Sequence, residues 1–269
     1  MQAVDNRSLQ DFFLQILLYQ IPWFGLWAGT NVFFYKSKIL NQDSRNHLVS
    51  LIYSIWAIIF ACKDLWIDKR DLHQLNSASE NSYLSFSLSY VLFDFIVNCL
   101  YGPMAISKVI SCLISTVSLF SVLHLGLGAP LLLLGSLIIE TSSILVHIRK
   151  ILGNRRKRHT AAYELCLLAY IVVFIIIRGV FGTIFNVYLA VNSAWAPKAF
   201  ILASLLTLAE TLSHFKGLYQ VFRQCIGHRD QRVERNIILW WWSVNPQLRN
   251  LDYYQRMKAN NKRHHEKSD

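Results

Sequence analysis

The segment LLGSLIIETSSILVHIRKIL, from Leu133 to Leu152, is the most informative part of this chain about its fold class. It belongs to an apolar segment that runs from about residue 130 to 148, carries one carboxylate, Glu140, and ends at Arg149 and Lys150. A helix needs roughly 20 mainly apolar residues to cross about 30 Å of hydrocarbon. The pattern predicts a transmembrane helix whose basic end lies at one face of the membrane.

Six other stretches of the chain have a similar length and apolar character. The seven together are residues 9–35, 48–66, 83–101, 104–123, 130–148, 162–189 and 197–221. With 269 residues, 54% of them hydrophobic, the chain has little left for a soluble domain once these are assigned. Because the connectors are short, we expect an all-α polytopic membrane helix bundle of about seven transmembrane helices.

The distribution of Lys and Arg gives the orientation. Alternating the loops between the two sides of the membrane places 20 of the 27 Lys and Arg residues on one side and 5 on the other. Basic loops resist translocation, so the basic side is the cytosol or its equivalent. We therefore expect the C-terminus on the positive side and the N-terminus on the opposite one.

The net charge of +11 does not indicate nucleic-acid binding, because its position has a simpler explanation. The cluster from Arg149 to Arg158 lies between two apolar stretches, where contact with anionic headgroups accounts for it. The five cysteines form no CxxC pair or zinc-like spacing, and no phosphate-binding glycine loop occurs. We expect no metal and no cofactor.

Several ionisable residues fall inside the apolar stretches, where they are costly and usually face a partner or a wet cavity. The candidates are Asp94, Glu140, Arg178, Glu210 and His214. They have two interpretations: an interhelical ion pair that fixes helix register, such as Arg178 with Glu140 or Asp94, or polar anchors for a lipid headgroup. Glu210 and His214, one helical turn apart, are either an acid/base pair or a satisfied hydrogen bond.

The chain divides into three parts by composition: residues 1–45 with the first helix and connector, the membrane bundle 46–223, and a basic, Trp-containing tail 224–269. The candidates for contact with a partner or the membrane interface are Trp240, Trp241, Trp242, Arg155 and Arg156, since Trp and Arg are favoured at binding hot spots. In the first stretch, Trp23 and Trp27 are candidates for the aromatic belt at the membrane interface.

The order of these features resembles the TLC-domain family, which includes the ceramide synthases and smaller proteins that affect membrane phospholipid composition. The similar segments are NHLVSLIYSIWAI at Asn46–Ile58, SYVLFDFIV at Ser89–Val97, the Leu133–Leu152 stretch, and VVFIIIRGVF at Val172–Phe181. The resemblance as a whole runs from about Asn46 to Arg223, which is most of the chain. Each motif alone is weak, whereas four in the same order are moderately specific.

Two positions depart from that family. Its second-span His is Tyr53 here, and the paired His of its catalytic members would fall within SKVISCLIS, where this chain has Cys112 and Leu113. Acyl transfer to an amine needs a base, and His is suited to that role near neutral pH. The resemblance therefore implies the fold without a working acyltransferase site.

The leading hypothesis is a non-catalytic, TLC-like membrane protein that binds lipid or tunes membrane phospholipid composition. The alternative is a structural accessory subunit of a larger membrane complex, such as a mitochondrial respiratory assembly, and a third reading is an acyltransferase that uses Glu210 and His214. The expected partners are membrane phospholipids, with other complex subunits under the alternative. Family resemblance favours the endoplasmic reticulum or plasma membrane, and the mitochondrial inner membrane is the alternative.

Overall fold

The computed structural model describes residues 9–34, 42–69, 72, 74–101, 106–154 and 161–191, and eight single positions between 198 and 219. Its α-helices are α1 (Leu9–Phe34), α2 (Gln42–Cys62), α3 (Ala78–Tyr101), α4 (Ile106–Leu125), α5 (Ala129–Asn154), α6 (Ala161–Val173) and α7 (Gly182–Val191). A π-helical turn, Lys63–Ile67, extends α2, and a longer π-helical segment, Phe174–Phe181, joins α6 to α7. Within the described residues there is no β-strand, which confirms the all-α prediction.

Five helical segments are long and apolar enough to cross a membrane. They are Asp11–Thr30, Ser44–Ile67, Ala78–Leu100, Ala129–Gly153 and Leu165–Val191, and Val109–Leu125 is a shorter apolar helix. Six of the seven predicted stretches therefore correspond to helices, and the chain is a multi-pass membrane protein. The seventh stretch falls on the eight single positions, all of them helical, so the count of seven stays a prediction. The tail 224–269 lies outside the described residues.

The centre of the bundle is the antiparallel pair formed by α2 and α5, which make the most extensive contact between any two helices of the described chain. Two side-chain contacts define their register: Ser54 with Glu140, and His47 with His147. The contacts are seven residues apart on both helices. Because seven residues are about two helical turns, the same faces of α2 and α5 meet along the whole pair.

Aromatic residues of α1, α2 and α3 pack together into a layer beside this pair. The Trp23 ring lies 4.6 Å from the ring of Phe86 and 5.1 Å from that of Tyr90. Tyr90 in turn stacks on Tyr53 at 3.7 Å. Aromatic pairs at such distances stabilise a fold by about 0.5–1.5 kcal/mol beyond their buried area.

The interface-belt prediction is wrong for Trp23, whose side chain is only 3% exposed. Its indole Nε1 donates a hydrogen bond to Ser89 Oγ at 3.2 Å, which satisfies the N–H away from water. Trp27 is partly buried, and its Nε1 donates to Asn46 Oδ1 at 2.9 Å. Hydrogen bonds to neighbouring helices therefore replace the interfacial water that the prediction assumed.

The start of α3 is tied to the turn between α4 and α5. Ser77 and Glu80 form a capping box, in which the Ser77 N–H donates to the Glu80 carboxylate and the Glu80 N–H donates to Ser77 Oγ. Asn76 bridges the two regions, because its Nδ2 donates to the Val122 carbonyl at 3.0 Å and its Oδ1 accepts from the Ala129 N–H at 2.9 Å. This arrangement closes the end of the bundle opposite His47.

Candidate functional site

A cavity of about 640 Å³ lies inside the bundle, bordered by α2, α3, α4, α5 and the sixth span. We call it the polar cavity, since its lining combines ionisable and hydroxyl side chains with apolar ones. Its polar lining includes Asn46, His47, Ser50, Asp94, Asn98, Ser115, Glu140, Ser143, His147, Arg149, Lys150 and Arg178. The cavity therefore collects three of the predicted intramembrane charges, Asp94, Glu140 and Arg178.

Glu140 projects from the middle of α5 and is held by α2. The Ser54 hydroxyl donates a hydrogen bond to Glu140 Oε2 at 2.5 Å. Ser54 itself is only 1% exposed, because α2 and α5 pack closely at this level. A polar group in the apolar interior needs such a partner, so this contact fixes both the carboxylate and the register of the two helices.

Arg178 reaches the same level of α5 from the π-helical segment. Its Nη2 lies 3.4 Å from the carbonyl oxygen of Ile139 and 3.4 Å from Ser143 Oγ. Since Ile139 immediately precedes Glu140, the guanidinium contacts α5 next to that carboxylate. The guanidinium also lies over the Phe174 ring, 5.7 Å from its centroid. The predicted direct ion pair between Arg178 and a carboxylate stays a prediction.

The position of Arg178 depends on the π-helical geometry. In this segment the Gly182 N–H donates to the carbonyl of Ile177, five residues earlier, instead of to the carbonyl four residues earlier. The extra residue in this turn changes the directions in which side chains between Val173 and Gly182 project around the helix axis. Such segments are rare and occur frequently at functional sites.

Asp94 enters the polar cavity from α3. Its Oδ1 accepts a hydrogen bond from Asn98 Nδ2 at 2.9 Å, one helical turn further along the same helix. The next helix contributes Cys112, whose thiol donates to the Val91 carbonyl of α3 at 3.6 Å. The residue at the expected catalytic histidine position therefore makes a contact between helices.

Two histidines that the motifs did not identify meet at one end of the polar cavity. His47 of α2 and His147 of α5 approach with their Nδ1 atoms 3.1 Å apart. Also on α5, the Arg149 guanidinium lies over the Tyr170 ring, 5.2 Å from its centroid. We call this region, formed by His47, His147, Arg149 and Lys150, the histidine end. The sequence separates the two histidines by 100 residues, and only the register of α2 with α5 brings them together.

The opposite wall is apolar, and close helix packing shapes it. A Cβ atom on Gly135 would lie 3.3 Å from the Phe185 ring, and one on Gly182 would lie 3.7 Å from Ile138. Small residues at these positions let α5 and the sixth span approach each other, as is typical of membrane helices. Leu208 and Thr211, among the single positions described after residue 191, also line the cavity.

The remaining predicted site residues lie outside the residues whose side chains are described. They are Glu210, His214, Arg155, Arg156, Trp240, Trp241 and Trp242. The alternative of an accessory subunit, which rests in part on Trp240, Trp241 and Trp242, stays a prediction. Within the described part of the chain, no group of three or more His, Cys, Asp or Glu side chains could hold a metal ion.

This geometry permits binding of a ligand with both polar and apolar parts. Carboxylates, cations and hydroxyls line one part of the cavity, and aliphatic and aromatic side chains line the rest. Sites for small molecules commonly have about 300–1,000 Å³ and a few fixed polar groups in an apolar lining.

Comparison with known proteins identifies the family. A family model described as the TLC domain matches residues 43–214, more than half of the chain, and includes the second to sixth helical spans. No curated protein and no solved structure matches the chain at a significant level. The family match agrees with the resemblance carried by the four motifs, so the chain belongs to the TLC-domain family.

Proposed function

We propose that this TLC-domain membrane protein binds a lipid in the polar cavity, without catalysing a reaction, and thereby tunes the phospholipid composition of its membrane. The observation that carries the proposal is the cavity beside Glu140 and Arg178. Protein interiors are normally close-packed. A bundle whose charges served only to fix helix register would be expected to fill the space between them with side chains.

The lining of the cavity suits an amphiphile. Glu140 and Arg178 offer charge and hydrogen bonds, while Leu132, Phe174 and Phe185 offer apolar contact. A lipid satisfies both kinds of surface, because its headgroup is polar and its chain is not. A purely polar solute would leave the apolar wall without contacts.

The absence of catalysis is proposed from the residues at the family's histidine positions. Cys112 donates to a backbone carbonyl of α3, and Tyr53 stacks on Tyr90 within the aromatic layer. Neither side chain is arranged as a base near neutral pH. Purified protein that transfers an acyl chain from acyl-CoA, and loses this activity in His214→Ala, would contradict the non-catalytic part of the proposal.

Lipid binding is tested by filling the cavity. Ser115→Phe places a large side chain in the lining of α4, whereas Ser121→Phe makes the same change on the same helix outside the lining. We expect roughly tenfold less lipid to co-purify with Ser115→Phe, and no change with Ser121→Phe, by mass spectrometry of detergent-purified protein. Equal lipid in both variants and the wild type would contradict binding inside the cavity.

The effect on membrane composition is tested in cells. Cells that lack the protein should change in at least one phospholipid class, and wild-type protein should restore it while Ser115→Phe should not. By family resemblance we propose the endoplasmic reticulum or the plasma membrane as the location. Lipidomics that shows no change in any class would contradict the tuning role, even if the purified protein binds lipid.

A further inference from the structure

The lining of the polar cavity changes from acidic to basic along α5. Glu140 lies in the middle of that helix, and His147 and Arg149 follow it toward Asn154. At 1.5 Å per residue, the histidine end lies about 10–14 Å from the Glu140 level. Lys150, which is exposed, extends the basic character to the end of the cavity.

The contact between the two histidines constrains their protons. One Nδ1 must donate and the other must accept, so the accepting ring carries its hydrogen on Nε2. If the donating ring is also protonated at Nε2, the pair holds one positive charge and offers two Nε2–H donors. An anion in the cavity favours this form, because opposite charges nearby stabilise the charged imidazole.

Arg149 adds a permanent charge beside the pair. Its guanidinium is held against the Tyr170 ring, and its buried Nε has no hydrogen-bond partner among the residues that the structure describes. Over the whole cavity, Arg149, Lys150 and Arg178 face two carboxylates, Asp94 and Glu140. The lining is therefore net positive before either imidazole is protonated.

We propose that the histidine end is a phosphate subsite, which binds the phosphate group of an amphiphilic ligand or free phosphate. The inference rests on the proposed function of the cavity and deepens it by naming the ligand class. Arginine and protonated histidine donate to phosphate oxygens in short, charge-assisted hydrogen bonds. A phosphate bound there directs an attached chain toward the apolar wall near Leu132 and Phe174.

The position of the subsite agrees with a lipid source for the phosphate. The predicted orientation places the end of α5 that carries Arg149 and Lys150 on the positive side of the membrane, where anionic headgroups lie. Besides Glu140, the described part of the cavity lining contains one other carboxylate, Asp94 of α3. Its Oδ1 accepts a hydrogen bond from Asn98 Nδ2 at 2.9 Å. Asp94 is thus partly engaged within its own helix.

The test uses the full chain in detergent micelles and three probes: dioleoyl phosphatidate, dioleoylglycerol and inorganic phosphate. Phosphatidate should bind at least tenfold more tightly than dioleoylglycerol. The double variant His47→Ala/His147→Ala and Arg149→Ala should each lose most of that preference, whereas Arg149→Lys should keep part of it. Dioleoylglycerol binding should stay the same in all of them.

A matched pair of lysine variants keeps the test valid if the histidine variants fail to fold. Lys150→Ala removes an exposed charge at the histidine end, and Lys63→Ala removes one from the exposed Lys63–Asp68 pair beyond the other end of α2. We expect about threefold weaker phosphatidate binding in Lys150→Ala and no change in Lys63→Ala. Equal effects of the two would contradict a localised subsite.

The outcomes separate this inference from the proposed function. Equal binding of phosphatidate and dioleoylglycerol, both blocked by Ser115→Phe, would overturn the phosphate subsite and leave a lipid cavity. No binding of either would overturn both. Displacement of phosphatidate by inorganic phosphate at equal concentration would support the subsite, with free phosphate as its ligand.

Discussion

The two ends of α2 lie in different surroundings, although one seven-residue register with α5 runs through both. Toward Cys62, Trp56 and Phe60 stack with Tyr83 at 5.0 and 4.4 Å. Toward Gln42, His47 and Ser50 line the polar cavity. One half of the helix is used for packing, and the other half borders space for a ligand.

Packing and the proposed binding therefore overlap only in part, since Tyr53 and Tyr90 of the aromatic layer also line the polar cavity. Apolar helices gain no hydrophobic energy by leaving lipid for each other, so van der Waals packing and interhelical hydrogen bonds hold them together. Among these contacts, the ring pairs of Trp56 and Phe60 with Tyr83 and the hydrogen bonds of Asn76 lie away from the histidine end. Changes there should unfold the protein, whereas changes at the histidine end should alter its ligands.

The largest loss of unfolding free energy should come from Trp23→Ala in the aromatic layer. The substitution removes ring contacts with Phe86 and Tyr90 and leaves a cavity in the aromatic layer, which costs about 3–5 kcal/mol of unfolding free energy. Denaturant unfolding in detergent micelles measures it. The control is Leu17→Ala on the same helix, whose side chain is 64% exposed and should matter little. Similar losses in both variants would show that the layer is not the main source of stability.

A smaller loss is expected from Asn76→Ala. The variant leaves the Val122 carbonyl and the Ala129 N–H without their side-chain partner, at a cost of roughly 1–3 kcal/mol. Asn76→Asp keeps an acceptor for Ala129 but places a carboxylate oxygen against the Val122 carbonyl, so it should cost at least as much as Asn76→Ala in the same unfolding measurement. A much smaller loss in Asn76→Asp than in Asn76→Ala would contradict this account of the contacts.

The smallest change in stability should come from Ser54→Ala, at the border between the two regions. It removes the hydrogen bond to Glu140, which is worth about 1–2 kcal/mol between membrane helices. Ser85→Ala is the matched control, because Ser85 is as buried as Ser54 and its hydroxyl donates to the Asn81 carbonyl of its own helix. An equal cost in the two variants would mean that the Ser54–Glu140 contact contributes nothing beyond a local bond.

The order and approximate location of six helices could be predicted from hydropathy, whereas the residues at which they begin and end could not. The second stretch was predicted to begin at residue 48, whereas α2 begins at Gln42, and the fifth to end at 148, whereas α5 ends at Asn154. Hydropathy detects the part of a helix that lies in hydrocarbon. The polar residues that extend these helices, including His47 and Arg149, fall at or beyond the edges of that signal.

The candidate site was predictable only where a charge interrupted an apolar run. Asp94, Glu140 and Arg178 stood out for that reason, and the structure brings them to one cavity. His47 and His147 did not stand out, because each lies near the end of its stretch among other polar residues. Their encounter depends on the pairing of α2 with α5, which a single sequence does not contain. Trp23 was misassigned for a related reason, since its partner Ser89 lies on another helix.

The π-helical segment has a consequence for how this chain tolerates insertions and deletions. The hydrogen bonds of Phe174–Phe181 close over one residue more than those of the helices on either side, so the segment accommodates an extra residue in a wider turn. Deleting a single residue there would restore ordinary α-helical winding and remove that wider turn. Arg178, which reaches Ile139 and Ser143 from it, would then lose its position against α5. Length changes should therefore be better tolerated in the connectors than inside these eight residues.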